Sequence, residues 1–323
     1  MKINYIDPFK ADNILIEHAN GLINQVNETI YPFVSGAYRC TTQTNYADSF
    51  GFQWNIFQKT QIDGNTESDQ STKRFCAVTN WNNLNLEGEN ILEVGSGAGR
   101  FTQVLLAQTK ANLYSVDYSN AVEANYKNNG HSDRLKLFQA SIYELPFANH
   151  QFDRVFCFGV LQHTPDFKKS VQALVEMAKP GGEIIIDFYP IKGWYTKINS
   201  KYIFRPLTKK IKKETLLKVI QFNAGWLIFL SKLFTTMGIG KLVNRFLPIC
   251  DIETTMPPSL TFQQLKEWVI LDTFDMFSPE YDNPQKISTV KKWMEEFGVK
   301  ISFFDFIKYD KNSMVAVVKG IKN

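Results

Sequence analysis

The chain has 323 residues, 44% of them hydrophobic, which is ample for a sizeable core. Its 36 lysines and arginines against 32 acids leave a formal net charge of +4, too balanced over the whole length to argue for a nucleic-acid partner. The four cysteines, Cys40, Cys76, Cys157 and Cys250, lie far apart without a C-x-x-C pair, so neither a zinc ribbon nor a disulfide framework is indicated and a reducing cytosol fits. No apolar run follows the first lysine, so no signal peptide is expected and the location is read as cytoplasmic.

From about residue 71 the pattern alternates between helix and strand, the α/β signature. Phe75, Val78 and Trp81 stand at helical spacing in 72–83, and 90–94 is a short buried strand. Helix is expected over 101–108, strand over 112–116, helix over 120–128 and strand over 134–138. A fourth strand follows at 153–158, its helix at 166–178, and a fifth strand at 183–188, entered through Pro180-Gly181-Gly182. Right-handed crossovers between such strands yield an open, doubly wound, mostly parallel Rossmann-like sheet. After the fifth strand the rhythm breaks, and the next strands, 299–307 and 313–319, are close enough to form an antiparallel hairpin. The roughly 110 residues between are far more than one helix and two loops need, so they read as a mainly helical insertion.

The first strand runs into Glu93-x-Gly95-x-Gly97-x-Gly99, a turn where bare backbone lets a ligand approach the main chain. A nucleotide-type cofactor is the first hypothesis. The dinucleotide fingerprint G-x-G-x-x-G fits poorly, because its third position falls on Arg100 or Thr102 instead of a small residue. The second strand ends at Asp117, where one carboxylate can grip both hydroxyls of a ribose. That suits NAD and adenosyl ligands equally, and a helix N-cap or a solvated loop acid is the alternative.

The segments "ILEVGSGAGRFT", "VDYSNAV", "QASIYELPFANHQFDRVFCFGVLQHTPD" and "MAKPGGEIIIDFY" together resemble the ordered motifs of class I S-adenosylmethionine-dependent methyltransferases, over about residues 71–190. The resemblance implies that Gly95, Ser96 and Gly97 lie against the methionine part of S-adenosylmethionine, with Glu93 beneath them ordering the loop. It implies further that Asp117 takes the ribose hydroxyls, that Tyr118 packs on the adenine, and that Phe158 and Gly159 flank the reacting methyl. The family usually has an acid before the adenine-side residue of the next loop. Here Ser141 precedes Ile142, and a serine can still bond the adenine amino group. The flanks "YADSFGFQWNIFQKTQID" and "LDTFDMFSPEYDNPQ" resemble segments of bacterial methyltransferases associated with glycan or surface-polysaccharide assembly.

An oxygen acceptor must lose a proton, and a histidine is the side chain best suited to take it near neutral pH. Of the four histidines, His163 lies just past the fourth strand, at the active edge of the sheet; its alternative is to line the pocket. Phe50, Phe52, Trp54 and Phe57 form an aromatic cluster that can close over a ligand or simply pack. In 271–285, Asp272, Asp275, Glu280 and Asp282 interleave with Phe274, Phe277 and Tyr281. Carboxylates beside aromatic faces suit a sugar, so this loop is expected to wall the acceptor, with Asp275 and Tyr281 as contacts; a helix-capping surface loop is the alternative. Within the insertion, 192–218 holds nine basic residues and one acid, Glu214, followed by "VIQFNAGWLIFLSKLFTTMGIG". Polar interruptions argue against a spanning helix, leaving a solvated basic face or an interfacial surface for anionic lipid or a lipid-linked acceptor.

The expected organisation is thus an N-terminal lid over 1–70, the cofactor core over 71–190, the helical, acceptor-side insertion over 191–285, and a helix and strands over 286–323 completing the sheet. The leading function is methyl transfer to a small-molecule or glycan-type acceptor, with no metal, no nucleic acid, and peripheral contact with the inner face of the membrane open through the basic insertion. A nicotinamide-dependent oxidoreductase and a non-catalytic adenosyl-binding or membrane-associated scaffold are the competing readings.

Overall fold

The structure, a computed structural model, describes residues 3–41, 45–65, 68–257, 259–311 and 313–323. Five strands open it: β1 (Tyr5–Asp7), β2 (Lys10–His18), β3 (Gly21–Asn24), β4 (Ile30–Val34) and β5 (Ala37–Cys40). Two helices follow, α1 (Asp48–Ile56) and α2 (Gln70–Thr79). The alternating part then runs β6 (Asn90–Val94), α3 (Arg100–Gln108), β7 (Asn112–Asp117), α4 (Val122–Asn129), β8 (Leu135–Ala140), β9 (Phe152–Phe158), α5 (Phe167–Met177) and β10 (Ala178–Phe188). Beyond it lie α6 (Ser200–Thr208), α7 (Lys213–Thr236), the single turns α8 (Gly240–Val243) and α9 (Ile252–Thr255), α10 (Phe262–Phe277) and α11 (Ile287–Glu296). The chain closes with β11 (Val299–Lys308) and β12 (Met314–Lys322). Asn312, which falls between them in the sequence, lies outside the described residues.

These strands form one sheet in the order β1-β2-β3-β4-β5-β8-β7-β6-β9-β10-β12-β11. From β5 to β10 every pairing is parallel, and β12 and β11 add antiparallel at the end. Successive residues of a strand point to opposite faces, and both faces are filled. Leu92, Val155 and Ile184 join a core with Phe167, Val171 and Leu174 of α5 and Val290 of α11. Their chain neighbours Ile91, Phe156 and Ile185 join another with Phe75 and Val78 of α2 and Val104 of α3. Helices therefore cover both sides of the parallel strands, which is why those strands read as unbroken apolar runs.

Three expectations change. Residues 1–70 are not a lid as a whole: β1 to β5 extend the sheet, and the part lying over the glycine turn begins near Tyr46. In β2, Leu15 is buried between the exposed Ile14 and Ile16, a period-two pattern that marks a strand. The Pro180-Gly181-Gly182 stretch does not precede the fifth strand but lies inside β10, as an irregularity between Ala178 and Glu183 with Gly181 at φ +79°. The acidic-aromatic segment is not wholly a loop, because α10 continues to Phe277. A reciprocal Thr261–Gln264 capping box starts that helix, and Leu271 and Phe274 are fully buried against Leu216, Leu217 and Ile220 of α7. Burying a side chain of that size contributes roughly 1.5–3 kcal/mol, enough to hold Asp272 and Asp275 in helical register.

Candidate functional site

At the carboxyl ends of the parallel strands lies a cavity of about 690 Å³, the place where an open α/β sheet takes a ligand. Gly95, Ser96, Gly97 and Ala98 line it from the β6–α3 turn, with Asp117 and Tyr118 from the end of β7 and Phe158, Gly159 and His163 from the end of β9. Gly95 has φ +84°, and a Cβ there would meet Val160 Cγ2 at 2.2 Å. Gly97 has φ +55°, and a Cβ would meet the Trp54 indole nitrogen at 3.0 Å. Left-handed geometry and the close approach of neighbours thus both demand glycine at these positions.

Asp117 is tied to this turn. Its Oδ2 accepts from the Gly97 amide at 2.8 Å, and its Oδ1 accepts from the Ser119 amide at 2.8 Å and hydroxyl at 2.6 Å. Burial pushes its carboxyl above the usual range, against the pull of those bonds. Glu93 lies outside the cavity lining and accepts from Thr102 Oγ1 at 2.5 Å and Ser115 Oγ at 2.8 Å, linking β6 to α3 and β7. Burial raises its carboxyl to about 7.

A roof comes from the segment before β6. Tyr46, Phe50 and Trp54 recur every four residues and all line the cavity. Tyr46 packs on Tyr118 with ring centroids 5.0 Å apart, and Phe50 on His163 at 5.0 Å. Gln53, on the same helix, also faces the cavity.

His163 is buried in a short 3-10 turn, and its Nδ1 lies 3.0 Å from the Tyr281 carbonyl oxygen. A carbonyl only accepts, so Nδ1 carries the proton and Nε2 presents a lone pair. Burial lowers the His163 pKa from its ordinary value, which keeps the ring neutral. Around it stand Tyr189, with ring centroids 5.7 Å apart, and Lys201, whose Nζ sits 5.1 Å from the Tyr189 ring and 2.9 Å from Asp282. Tyr189 donates a long bond of 3.5 Å to Asp275, which lines the cavity as Asp272 does.

Two residues singled out from the sequence stand elsewhere. Ser141 Oγ accepts from the Tyr143 amide at 3.2 Å, and Ile142, not Ser141, lines the cavity. Tyr281 is not in the lining either: its ring packs edge-on against Tyr46 and its carbonyl orients His163. Two guanidinium groups that the sequence motifs leave unassigned also belong to the site. Arg74 binds the fully buried Asp187 through both carboxylate oxygens, at 2.7 Å each, and Arg100 donates to Gln61 at 2.8 Å; both line the cavity. Arg100 directly follows the third glycine, where its size speaks against a dinucleotide fingerprint without pointing to a carboxylate partner. Nothing in the sequence around Arg74 distinguishes it from a surface residue.

The residues fit S-adenosylmethionine. Ser96 Oγ, Gln53 Oε1 and His163 Nε2 are buried polar atoms without a partner among the described residues, and all three residues line the cavity. Burial and the nearby Arg74 push the Arg100 guanidinium below its usual range, a strain that a ligand carboxylate relieves.

The glycine-lined cavity at the carboxyl edge of the parallel strands is the place an open α/β sheet offers a nucleotide-type cofactor, and the chain carries a methyltransferase domain there. Residues 92–186 match the family model described as "Methyltransferase domain", and S-adenosylmethionine is its cofactor. The tRNA U34 carboxymethyltransferase of Nautilia profundicola is 29% identical over 119 residues, 35% of this chain and 40% of that protein. The ubiquinone biosynthesis O-methyltransferase of Coxiella burnetii is 28% identical over 131 residues, 39% of this chain and 56% of that protein. The chain thus spans about half the length of these curated relatives, or less. Among solved structures, magnesium protoporphyrin IX methyltransferase from Synechocystis with bound SAM aligns with 88% of this chain and 100% of its own, at 13% identity and a TM-score of 0.47, too loose a likeness to bear on acceptor or residue roles.

Proposed function

We propose that the protein is an S-adenosylmethionine-dependent methyltransferase that acts on a hydroxyl of a small-molecule or glycan-type acceptor. The observation that carries this reading is one continuous cavity joining the glycine turn and Asp117 to the unpartnered Nε2 of a neutral, oriented His163. When bound, the cofactor would supply a methyl group on a sulfonium, open to in-line attack by an acceptor oxygen as the carbon–sulfur bond breaks and the neutral thioether leaves. The chain's own part is positioning, exclusion of water and one proton. Asp117 grips the ribose, Gly95, Ser96 and Gly97 let the methionine part reach the backbone, and Arg74 and Arg100 face its carboxylate. Ile142 and Tyr118 bracket the adenine, and Phe158 and Gly159 flank the methyl. Tyr46, Phe50 and Trp54 close over the top. His163 Nε2 takes the acceptor's proton as the carbon–oxygen bond forms, while the Tyr281 carbonyl steadies the resulting imidazolium through Nδ1–H. Asp275 beside Tyr189 gives an acceptor hydroxyl a partner.

The expectation that nucleic acid is excluded lacks support, since one relative is by its name a tRNA enzyme. The test is therefore open to every class. Cofactor carrying a labelled methyl is incubated with the protein and extracts of its native cell, and glycan, lipid, small-molecule, RNA and protein fractions are counted. Label in the glycan or small-molecule fraction, lost with His163→Gln, supports the reading. Label confined to RNA or protein overturns the acceptor class.

A further inference from the structure

We propose that residues 194–246 form a docking surface for an anionic membrane. The helix α7 is apolar on two opposite sides. Leu216, Ile220, Leu227 and Ile228 are buried against α10, whereas Val219, Phe222, Trp226, Phe229 and Leu233, on the other side, are exposed. Spacings of three and four residues place those five in a single stripe. Phe222 is 85% exposed and Phe229 65%, and the same segment also exposes Leu207 at 70% and Trp194 at 86%. A stripe of five exposed apolar side chains along one helix face is not left to water without a partner.

Charge selects the partner. From Lys192 to Arg245 there are twelve lysines and arginines and one acid, Glu214, leaving 24 basic against 31 acidic residues in the rest of the chain. Three of these lysines are paired, Lys201 with Asp282, Lys209 with Glu280 and Lys213 with Asp48. Lys197, Lys210, Lys212, Lys218, Lys232 and Lys241 form no ion pair among the described residues. Lys218 and Lys232 flank the exposed stripe of α7 at helical offsets. A second copy of the chain would bring lysine-edged faces together and repel, and a nucleic acid would leave the Phe222–Phe229 stripe wet. An anionic bilayer surface satisfies both features, its headgroups meeting the lysines and its acyl boundary burying the stripe. Trp226, whose indole nitrogen donates to Asn223 at 2.9 Å, has the amphipathic form suited to that boundary. By length and mean hydropathy α7 could cross a membrane. Its opposite face is held by α10, however, so lipid cannot surround it and the helix lies in the interface plane.

Lys192 and Lys201 line the cavity and also begin this basic segment, so docking would turn the acceptor side of the cavity toward the headgroups. That consequence rests on the proposed function; the docking does not. The test is co-sedimentation of the full chain with vesicles of phosphatidylglycerol and phosphatidylcholine, against phosphatidylcholine alone, at low and high salt. Binding to the anionic vesicles that weakens with salt is expected. The combined Phe222→Ser, Trp226→Ser, Phe229→Ser variant should lower it by about tenfold or more, and so should Lys218→Glu with Lys232→Glu, which leaves the apolar stripe untouched. Unchanged S-adenosylmethionine affinity in the same samples reports an intact core and separates this outcome from any failure of the enzymatic reading. Absence of parent binding to anionic vesicles, equal binding by both variants, or a parent dimer in sedimentation that the variants dissociate would each overturn the proposal.

Discussion

His163 Nδ1 lies 3.0 Å from the carbonyl oxygen of Tyr281, 118 residues further along the chain. Because that oxygen can only accept, the bond selects the tautomer that leaves Nε2 free for a proton. Replacing His163 by Gln should lower turnover by about 10²–10⁴-fold with cofactor affinity nearly unchanged. Burial lowers the His163 pKa from 6.5, so the ring stays neutral into more acidic solution and the acidic limb of the parent's turnover profile should fall below pH 6.5. A profile with its midpoint above 6.5, or turnover of His163→Gln within a few fold of the parent, removes the base from the mechanism.

The two acceptor-side candidates should part company. Asp275 lines the cavity, so Asp275→Asn should raise the acceptor KM by about tenfold, the cost of one bond to a charged group. Tyr281→Phe keeps the carbonyl that orients His163, and its kinetics should match the parent within about twofold. Steady-state kinetics with the identified acceptor decide the matter, and a large loss in Tyr281→Phe would place its hydroxyl on the acceptor.

Asp272 makes stability depend on pH. Burial, aided by Asp275, raises its carboxyl from 3.8 to about 7, while Gln61 donates to it at 2.9 Å. Between those values the folded state holds a proton that the unfolded state has lost, so this group's contribution to stability falls as pH rises from about 4 to 7. Above pH 7 the cost is complete, on the order of 2–4 kcal/mol. Asp272→Asn, which can still accept from Gln61, should therefore melt higher than the parent at pH 8 and close to it at pH 4. Calorimetric melting at the two pH values checks this, and a variant less stable at pH 8 contradicts it.

Trp54 sits over Gly97, so it should slow the escape of ligand from the turn. Trp54→Ala should speed cofactor dissociation about tenfold, the equivalent of about 1.4 kcal/mol of lost packing. Stopped-flow displacement of bound cofactor measures it, and an unchanged rate would make the roof mere core packing.

Much of the parallel sheet was legible because strands covered on both faces are apolar runs bounded by turns, as at Ile91-Leu92 and Ile184-Ile185-Ile186. The glycine turn and Asp117 were legible for a related reason: positive φ and close approach leave few residue types to choose from. The N-terminal strands were harder, since β1, β3, β4 and β5 are only three to five residues long and Ile14, Ile16 and Ile30 are exposed, which hides the alternation among other apolar residues. The end of α10 is hidden in the sequence because Asp272 and Asp275 have the character of loop residues, and only the burial of Leu271 and Phe274 marks the helix. Contacts carried by main-chain atoms, such as the Tyr281 carbonyl on His163, leave no mark on residue type at all.

Calorimetric titration with S-adenosylmethionine, in the parent and in Asp117→Ala, tests the central claim most directly. Asp117 is anchored by Gly97 and Ser119 so that its carboxylate faces the cavity. The parent should bind one equivalent, and the folded variant should bind about ten- to a hundredfold more weakly, the loss of roughly 1.5–3 kcal/mol of charge-assisted bonding to the ribose. A parent that releases no heat with S-adenosylmethionine, or a folded Asp117→Ala that binds as tightly as the parent, would contradict the assignment of this cavity.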